Sequence, residues 1–314
     1  MQGSGLVSVI ITCYNQGRFL ADAINSVLQQ TYQKIEIIII NDGSTDNTEE
    51  VSREWPNARY VSQSNQGLSA ARNRGIEESH GEFLVFLDAD DRLLPRALDS
   101  GVKAVIQRPD CAFAFGNYRE ITIDGTVIDE PKRTPESGDF YSSLLKRNCI
   151  EMHATVIYRR IVFEEVGVFD TSLKACEDYD FYLRVSRRLP IYHFAVQVAE
   201  YRQHNSNMSG DALLMLRYVL AVLRSQKGHI KQNKVYQRAY KEGVRSFAGG
   251  YAIQLAQQSL AQLCRPNHRV QGLKGLFSLF QCYPLGVARI LVPFLVLRLP
   301  RAVHIRSRIS ASRT

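Results

Sequence analysis

Acidic residues all but vanish from the last third of this 314-residue chain. Residues 211–314 hold 17 Lys+Arg against two Asp+Glu, whereas residues 1–210 hold 22 against 29. The net charge of +8 thus joins an N-terminal −7 to a C-terminal +15, and the basic third suits a polyanion, either nucleic acid or anionic lipid. Cysteine is sparse: six thiols, none in CxxC spacing, which argues against a zinc ribbon or a redox pair. They do not read as a disulfide framework in a chain this long, so a reducing cytosol fits. No run approaches the ~18 apolar residues that span a bilayer. The nearest, 290–297, holds Pro293 and lies between Arg289 and Arg298. The N-terminus lacks a basic leader and reads as a first strand, not a signal peptide.

What the chain does have is alternation. Residues 7–12, 35–40 and 83–87 are short apolar runs, strand-like, and helical periodicity fills 17–30, 47–55, 67–78 and 96–107. This β-α-β-α rhythm implies a parallel sheet with right-handed crossovers. After Asp110 the pattern changes: 112–118 and 120–128 read as paired strands around a turn at Asp124-Gly125, and 130–139 as a loop. A helix is expected over 177–189 and a strand over 191–198. Residues 205–210 form a linker, which sets the expected domains at 1–210 and 211–314, the second mostly helical.

Each of the three apolar runs ends abruptly in polar groups, and ligands of open α/β sheets bind just beyond such strand ends. The run over 83–87 ends in Asp88-Ala89-Asp90-Asp91. Carboxylates this close repel unless a cation joins them, and Mg²⁺ or Mn²⁺ takes oxygen ligands while keeping positions open for phosphate. Such a turn also serves as a helix cap. The first run delivers Tyr14, whose ring can stack on a base. The second delivers Asp42, an acceptor for the N3–H of uracil or thymine, or a turn residue before Gly43. Gly67 to Asn73 offers a helix start and the Arg72 guanidinium to a phosphate; alone, Arg72 is also an ordinary surface cation.

Together, Val-Ser-Val-Ile-Ile-Thr-Cys-Tyr-Asn, Asn-Asp-Gly-Ser-Thr-Asp, Gly-Leu-Ser-Ala-Ala-Arg-Asn and Asp-Ala-Asp-Asp resemble the family 2 glycosyltransferases of GT-A fold, over roughly residues 6–205. The resemblance implies a Rossmann-like, nucleotide-diphospho-sugar domain and inverting transfer of a sugar to an acceptor hydroxyl. It implies that Thr12, Tyr14 and Asp42 contact the donor's base, Arg72 its phosphates or ribose, Asp88 its ribose with Ala89 alongside, and that Asp90 holds a divalent metal, Mn²⁺ or Mg²⁺. It also implies a catalytic base, Asp178, in Cys176-Glu177-Asp178-Tyr179-Asp180-Phe181. Helical spacing agrees, since Asp178 shares a face with Phe181, Tyr182 and Val185. The helix dipole there is expected to keep it ionised, although Asp is also a common helix cap. Asp180 is expected to be a solvated charge paired with Arg184.

Two histidines complete the candidates. His204, in a segment resembling one that folds over the donor diphosphate, is read as a metal or phosphate ligand. His153, with Glu177, is placed on the acceptor side. In the tail, Leu276, Phe277, Leu279, Phe280, Leu285, Val287, Ile290, Leu291 and Phe294 alternate with Lys274, Arg289, Arg298, Arg301, Arg306, Arg308 and Arg313. That composition suits a segment lying on an anionic membrane surface.

The function expected is therefore a non-processive glycosyltransferase using a nucleotide-diphospho-sugar, with uridine favoured. It would act on a saccharide or lipid-linked saccharide, in cell-surface polysaccharide or glycolipid assembly at the cytoplasmic membrane face, without nucleic acid. A processive synthase would carry spanning helices and Gln-x-x-Arg-Trp, whereas the single tryptophan is Trp55. A sugar-1-phosphate nucleotidyltransferase would need a glycine-rich loop where residues 12–20 offer only Gly17 and Arg18. A non-catalytic nucleotide-sugar-binding or membrane scaffold is the alternative, and the intact Asp88, Asp90 and Asp178 speak against it.

Overall fold

The computed structural model describes residues 5–130, 138–204 and 206–284. The chain separates into two compact units, Met1–Asn207 and Met208–Thr314. The first opens with β1 (Val7–Cys13), α1 (Gly17–Leu28), β2 (Ile35–Asp42), α2 (Thr48–Arg53), β3 (Ala58–Gln63), α3 (Leu68–Glu78) and β4 (Phe83–Asp88). Every residue of β1 is buried, with β2 and β4 parallel on its two sides, the environment a continuous apolar run requires. Helix α1 turns Leu20, Ala23, Ile24 and Val27 inward. A Cβ at Gly17 would lie 2.8 Å from the Thr48 amide nitrogen, so α1 and α2 start in near backbone contact.

The unit continues with β5 (Arg92–Leu93), α4 (Ala97–Gln107), β6 (Phe113–Ile121), β7 (Val127–Asp129), α5 (Phe140–Lys146), β8 (Val156–Arg159), α6 (Ile161–Val166), α7 (Glu177–Ser186) and β9 (Ile191–Arg202). Among the described residues one sheet runs β3-β2-β1-β4-β8-β6-β9-β5, with β7 attached to β6. β8 is antiparallel to β4 and β6. Strand order reverses between β1 and β4, the switch point beyond whose strand ends, here Cys13, Asp42 and Asp88, open α/β sheets place their crevice.

Two segments differ from the sequence reading. The hairpin expected over 112–128 is shifted: β6 runs on to Ile121 and β7 is only Val127–Asp129. The cause is β9, whose Gln197–Arg202 stretch pairs with Asn117–Ile121 and holds β6 extended. β9 itself continues four residues past the expected end at 198, to Arg202. That extension brings Arg202 and His204 to the acidic turn.

The second unit, among the described residues, is helical: α8 (Ala212–Ser225), α9 (Lys227–Ile230), α10 (Lys234–Leu263) and α11 (Arg269–Cys282). Asp211 caps α8 by accepting from the Leu214 amide at 3.0 Å, and Asn233 caps α10 through Val235 at 2.9 Å. α10 packs on α8 and α11 largely through small residues, including Ala248, Ala252, Ala256 and Ser259. No helix among the described residues is long and apolar enough to cross a membrane. The loop residues 131–137 and the tail residues Leu285, Val287, Arg289, Ile290, Leu291, Phe294, Arg298, Arg301, Arg306, Arg308 and Arg313 lie outside the described residues.

Candidate active site

The loops at the three strand ends are tied together by short polar side chains. Asn15, in a left-handed conformation (φ 54°), accepts from the Thr45 amide at 2.8 Å, and its own amide donates to Ser44 Oγ at 2.9 Å. Asp46 accepts from the Gly17 amide at 2.9 Å. Tyr14, beside this latch, is 52% exposed and presents an open ring. Asp42 is buried; its Oδ1 accepts from Gln63 Nε2 at 2.8 Å and the Gln66 amide at 2.9 Å, and its Oδ2 from the Gly67 amide at 2.8 Å. Asp42 therefore shapes the entry to α3, and a carboxylate's roughly four acceptor positions leave it one to offer a ligand.

From α3, Arg72 enters the interior. It is 2% exposed, and its Nη2 donates to Asp88 Oδ1 at 3.0 Å while Nη1 pairs with Glu177. The surface-cation reading of Arg72 is thus overturned. Both Nη groups hold protein carboxylates, and Nε alone among its nitrogens lacks a protein partner. Burial pulls the Arg72 pKa down, and Asp88 and Glu177 more than offset it, leaving it above the ordinary value. Thr12, also buried, donates to Asp88 Oδ1 at 2.9 Å. Asp88 thereby receives both a hydroxyl and a guanidinium and still keeps a third of its side chain open.

Asp178 begins α7 behind Cys176, which takes φ 62°, a conformation costly for any residue with a Cβ. Asp178 is half-buried and its Oδ1 accepts from the Tyr179 amide at 2.6 Å. Burial first, and then the neighbouring Glu177 charge, push it up to about 7, against the opposing pull of Arg72. The helix terminus is therefore outweighed, and the expectation that Asp178 stays fully ionised is corrected. A carboxylate so tuned can accept a proton near neutrality. Asp180 pairs with Arg184 at 2.7 Å as read from the spacing, but it is buried rather than solvated.

Asp90 lies a turn beyond β4. Burial and the Asp88 charge raise its pKa, and His204 opposes them by placing Nε2 2.9 Å from Asp90 Oδ2. The His204 ring stacks on Phe19 with centroids 5.3 Å apart, and its Nδ1 lies 2.8 Å from Ser206 Oγ. Among the described residues no three His, Cys, Asp or Glu side chains converge as a closed metal cage. Asp90 with His204 fits a hard cation that takes its remaining ligands from phosphate and water.

Arg202 was not singled out by the sequence reading. It is fully buried. Its amide donates to Asp91 Oδ1 at 2.9 Å, Nε to the Asp90 carbonyl at 2.9 Å, Nη2 to Asp22 on α1 at 2.8 Å, and Nη1 to the Ile123 carbonyl at 2.5 Å. Its guanidinium also lies 4.9 Å from the centre of the Phe19 ring. The available signal was spacing: Arg202 and His204 are two apart at a strand end, so both can reach one turn.

His153 and Glu177, expected on the acceptor side, are both buried. His153 is buried, stacked on Phe86 at 4.9 Å, with Nε2 2.9 Å from the Tyr158 hydroxyl. Burial, then Arg72, lower its pKa well below the usual value. It packs as a neutral residue among the rings of Phe86, Tyr158, Phe169 and Tyr182. Glu177 is buried as the counter-ion of Arg72.

The chain matches the family model "Glycosyl transferase family 2" over residues 8–167. It belongs to that family and is a glycosyltransferase of GT-A fold. TuaG of Bacillus subtilis (strain 168), a glycosyltransferase assigned to teichuronic acid biosynthesis, is 30% identical over 214 residues, 66% of this chain and 82% of that protein. An uncharacterized glycosyltransferase of Nostoc sp. is 38% identical over 177 residues, 52% of this chain and 54% of its own. Among solved structures, S. aureus TarS bound to UDP-GlcNAc superposes with a TM-score of 0.62 at 16% identity, covering 91% of this chain and 83% of that one. The mannosyltransferase PcManGT of Pyrobaculum calidifontis, in complex with GDP-Man and Mn²⁺, has a TM-score of 0.54 at 17% identity, covering 88% and 85%. At such identities these structures show the fold alone.

Proposed function

We propose that this glycosyltransferase is inverting and non-processive, moves one sugar from a nucleotide-diphosphate donor, preferentially a UDP-sugar, and serves cell-surface polysaccharide or glycolipid assembly at the cytoplasmic face of a membrane. The observation that carries this reading is Asp178: a half-buried carboxylate raised to about 7, grouped with Arg72 and Asp88 at the crevice. TuaG's role and the UDP-GlcNAc held by TarS support the polymer and the donor class.

In the step proposed, Asp178 accepts the proton of the acceptor hydroxyl. The freed oxygen bonds to the anomeric carbon from the face opposite the donor diphosphate. The bond from that carbon to the diphosphate oxygen breaks with its electron pair, and configuration inverts. Tyr14 stacks on the base and Asp42 accepts from it; Asp88, fixed by Thr12 and Arg72, turns its open edge to the ribose. Asp90 and His204 would hold a divalent cation, a Lewis acid that offsets charge on the departing diphosphate.

The test is transfer and donor hydrolysis by wild type and Asp178→Asn across a panel of nucleotide sugars with Mn²⁺. The substitution keeps the shape and removes the base, so transfer is expected to fall by about 10²–10⁴-fold while donor binding persists. Equal rates in the two proteins would remove Asp178 from the role of base.

A further inference from the structure

Helix α11 has two apolar faces, and the described residues of its unit cover one. On the inner face a Cβ at Gly272 would lie 2.6 Å from the Ser259 carbonyl oxygen, Gly275 abuts the Ser259 side chain, and Leu279 is fully buried. Of the tail residues named from sequence, Leu279 therefore points away from solvent. The outer face carries Val270, Leu273, Phe277 and Phe280, exposed by 66, 60, 63 and 59%. Their i, i+3, i+7, i+10 spacing confines them to an arc of about 80°. Exposed Arg269 flanks one edge of that arc and exposed Lys274 the other. Contiguous large apolar side chains left in water mark a contact surface.

Charge selects the occupant. From Gly243 to Thr314 the chain holds ten Lys+Arg and no Asp or Glu. A second copy would bring the same excess of cations against itself. A nucleic acid would answer the cations and leave leucine, valine and two phenylalanines unburied along the arc. An anionic bilayer answers both, taking the apolar arc below the head groups and phosphates to the two flanking cations, whose stems can reach up from the apolar layer. At 14 residues α11 is about 21 Å long, shorter than a bilayer core, so it lies along the surface. We infer that the Val270/Leu273/Phe277/Phe280 face of α11 seats this enzyme on anionic lipid. This deepens the membrane-side part of the proposed function and is independent of the transfer chemistry.

The experiment is flotation of the full-length protein with phosphatidylcholine vesicles, with or without roughly one-third phosphatidylglycerol. Leu273→Glu/Phe277→Glu is compared with Ile106→Glu, a matched change at a 60% exposed residue of α4. Wild type and I106E are expected to float with the anionic vesicles only, and the double variant to bind at least about tenfold more weakly. Melting temperature and donor hydrolysis should be unchanged, because both residues are exposed. Equal flotation of the double variant overturns the inference. So does a concentration-dependent dimer abolished by the same substitutions, which gives the face to a second copy. A lowered melting temperature with unchanged flotation gives it to the chain's own residues beyond 284. RNA binding lost in the double variant without any lipid binding also overturns it. Loss of hydrolysis in Asp178→Asn reads on the chemistry alone, so the two failures are separable.

Discussion

Two carboxylates side by side at the start of α7 do different work, and their surroundings set the difference. Glu177 is neutralised by Arg72 within the core, whereas Asp178 has no comparable partner and is pushed up to about 7. The sign follows directly. Below about 7 the proton stays on Asp178 and no base is available, so kcat/KM is expected to fall about tenfold per pH unit on the acid side and level off above. Stability runs the other way. The folded chain holds this proton more tightly than the unfolded chain, so the group favours folding most below the ordinary carboxylate pKa and loses that contribution as pH rises toward 7. Asp178→Asn is therefore expected to melt a few degrees higher than wild type at pH 8 and to approach it at pH 5. Calorimetry at the two pH values checks this; a variant less stable at both would show that the ionised carboxylate is favourably held.

At the scale of elements, the site depends on how far β9 extends. The apolar runs of β1, β2 and β4 and the polar groups that end them were legible from sequence because each is local: a buried parallel strand is a continuous run, and the change to polar residues marks its end. Asp178 was named through the family resemblance of Cys176 to Phe181, with helical spacing in agreement, and spacing alone would equally have allowed a helix cap. The length of β9 was not legible, because Gln197 to Arg202 is polar and irregular and becomes strand only through pairing with β6. The same tertiary cause hid Arg202 and the burial of His153 and Glu177, which is decided by aromatic rings and an arginine distant in sequence. Arg202 joins β9 to α1 and to the backbone of the acidic turn. Arg202→Ala removes the donor from the Asp90 carbonyl, while the half-exposed Asp22 turns to water, a loss of roughly 1–3 kcal/mol. Arg202→Lys keeps the charge but cannot reproduce the fork. It is expected to remain folded with weakened Mn²⁺ binding, measured by the paramagnetic signal of free Mn²⁺ and not by turnover. Unchanged Mn²⁺ affinity in that variant would confine Arg202 to stability.

Over the whole molecule, charge is divided as the chemistry is. The unit holding the crevice carries the acidic balance and the helical unit the basic one, with 17 Lys+Arg against two Asp+Glu in residues 208–314. Such a division separates two functions by their response to salt. The Arg72–Glu177 pair is buried and so escapes most screening. The cations of α11 are exposed, and their attraction to a lipid surface decays over a Debye length, which shrinks from about 30 Å at 0.01 M salt to about 8 Å at 0.15 M. Vesicle binding by the full-length protein is therefore expected to weaken severalfold over that range, while donor hydrolysis in the absence of lipid holds steady. A hydrolysis rate that fell in parallel would mean that the crevice itself depends on exposed ion pairs. Vesicle binding indifferent to salt would leave the apolar arc of α11 as the whole source of attachment, with Arg269 and Lys274 contributing nothing.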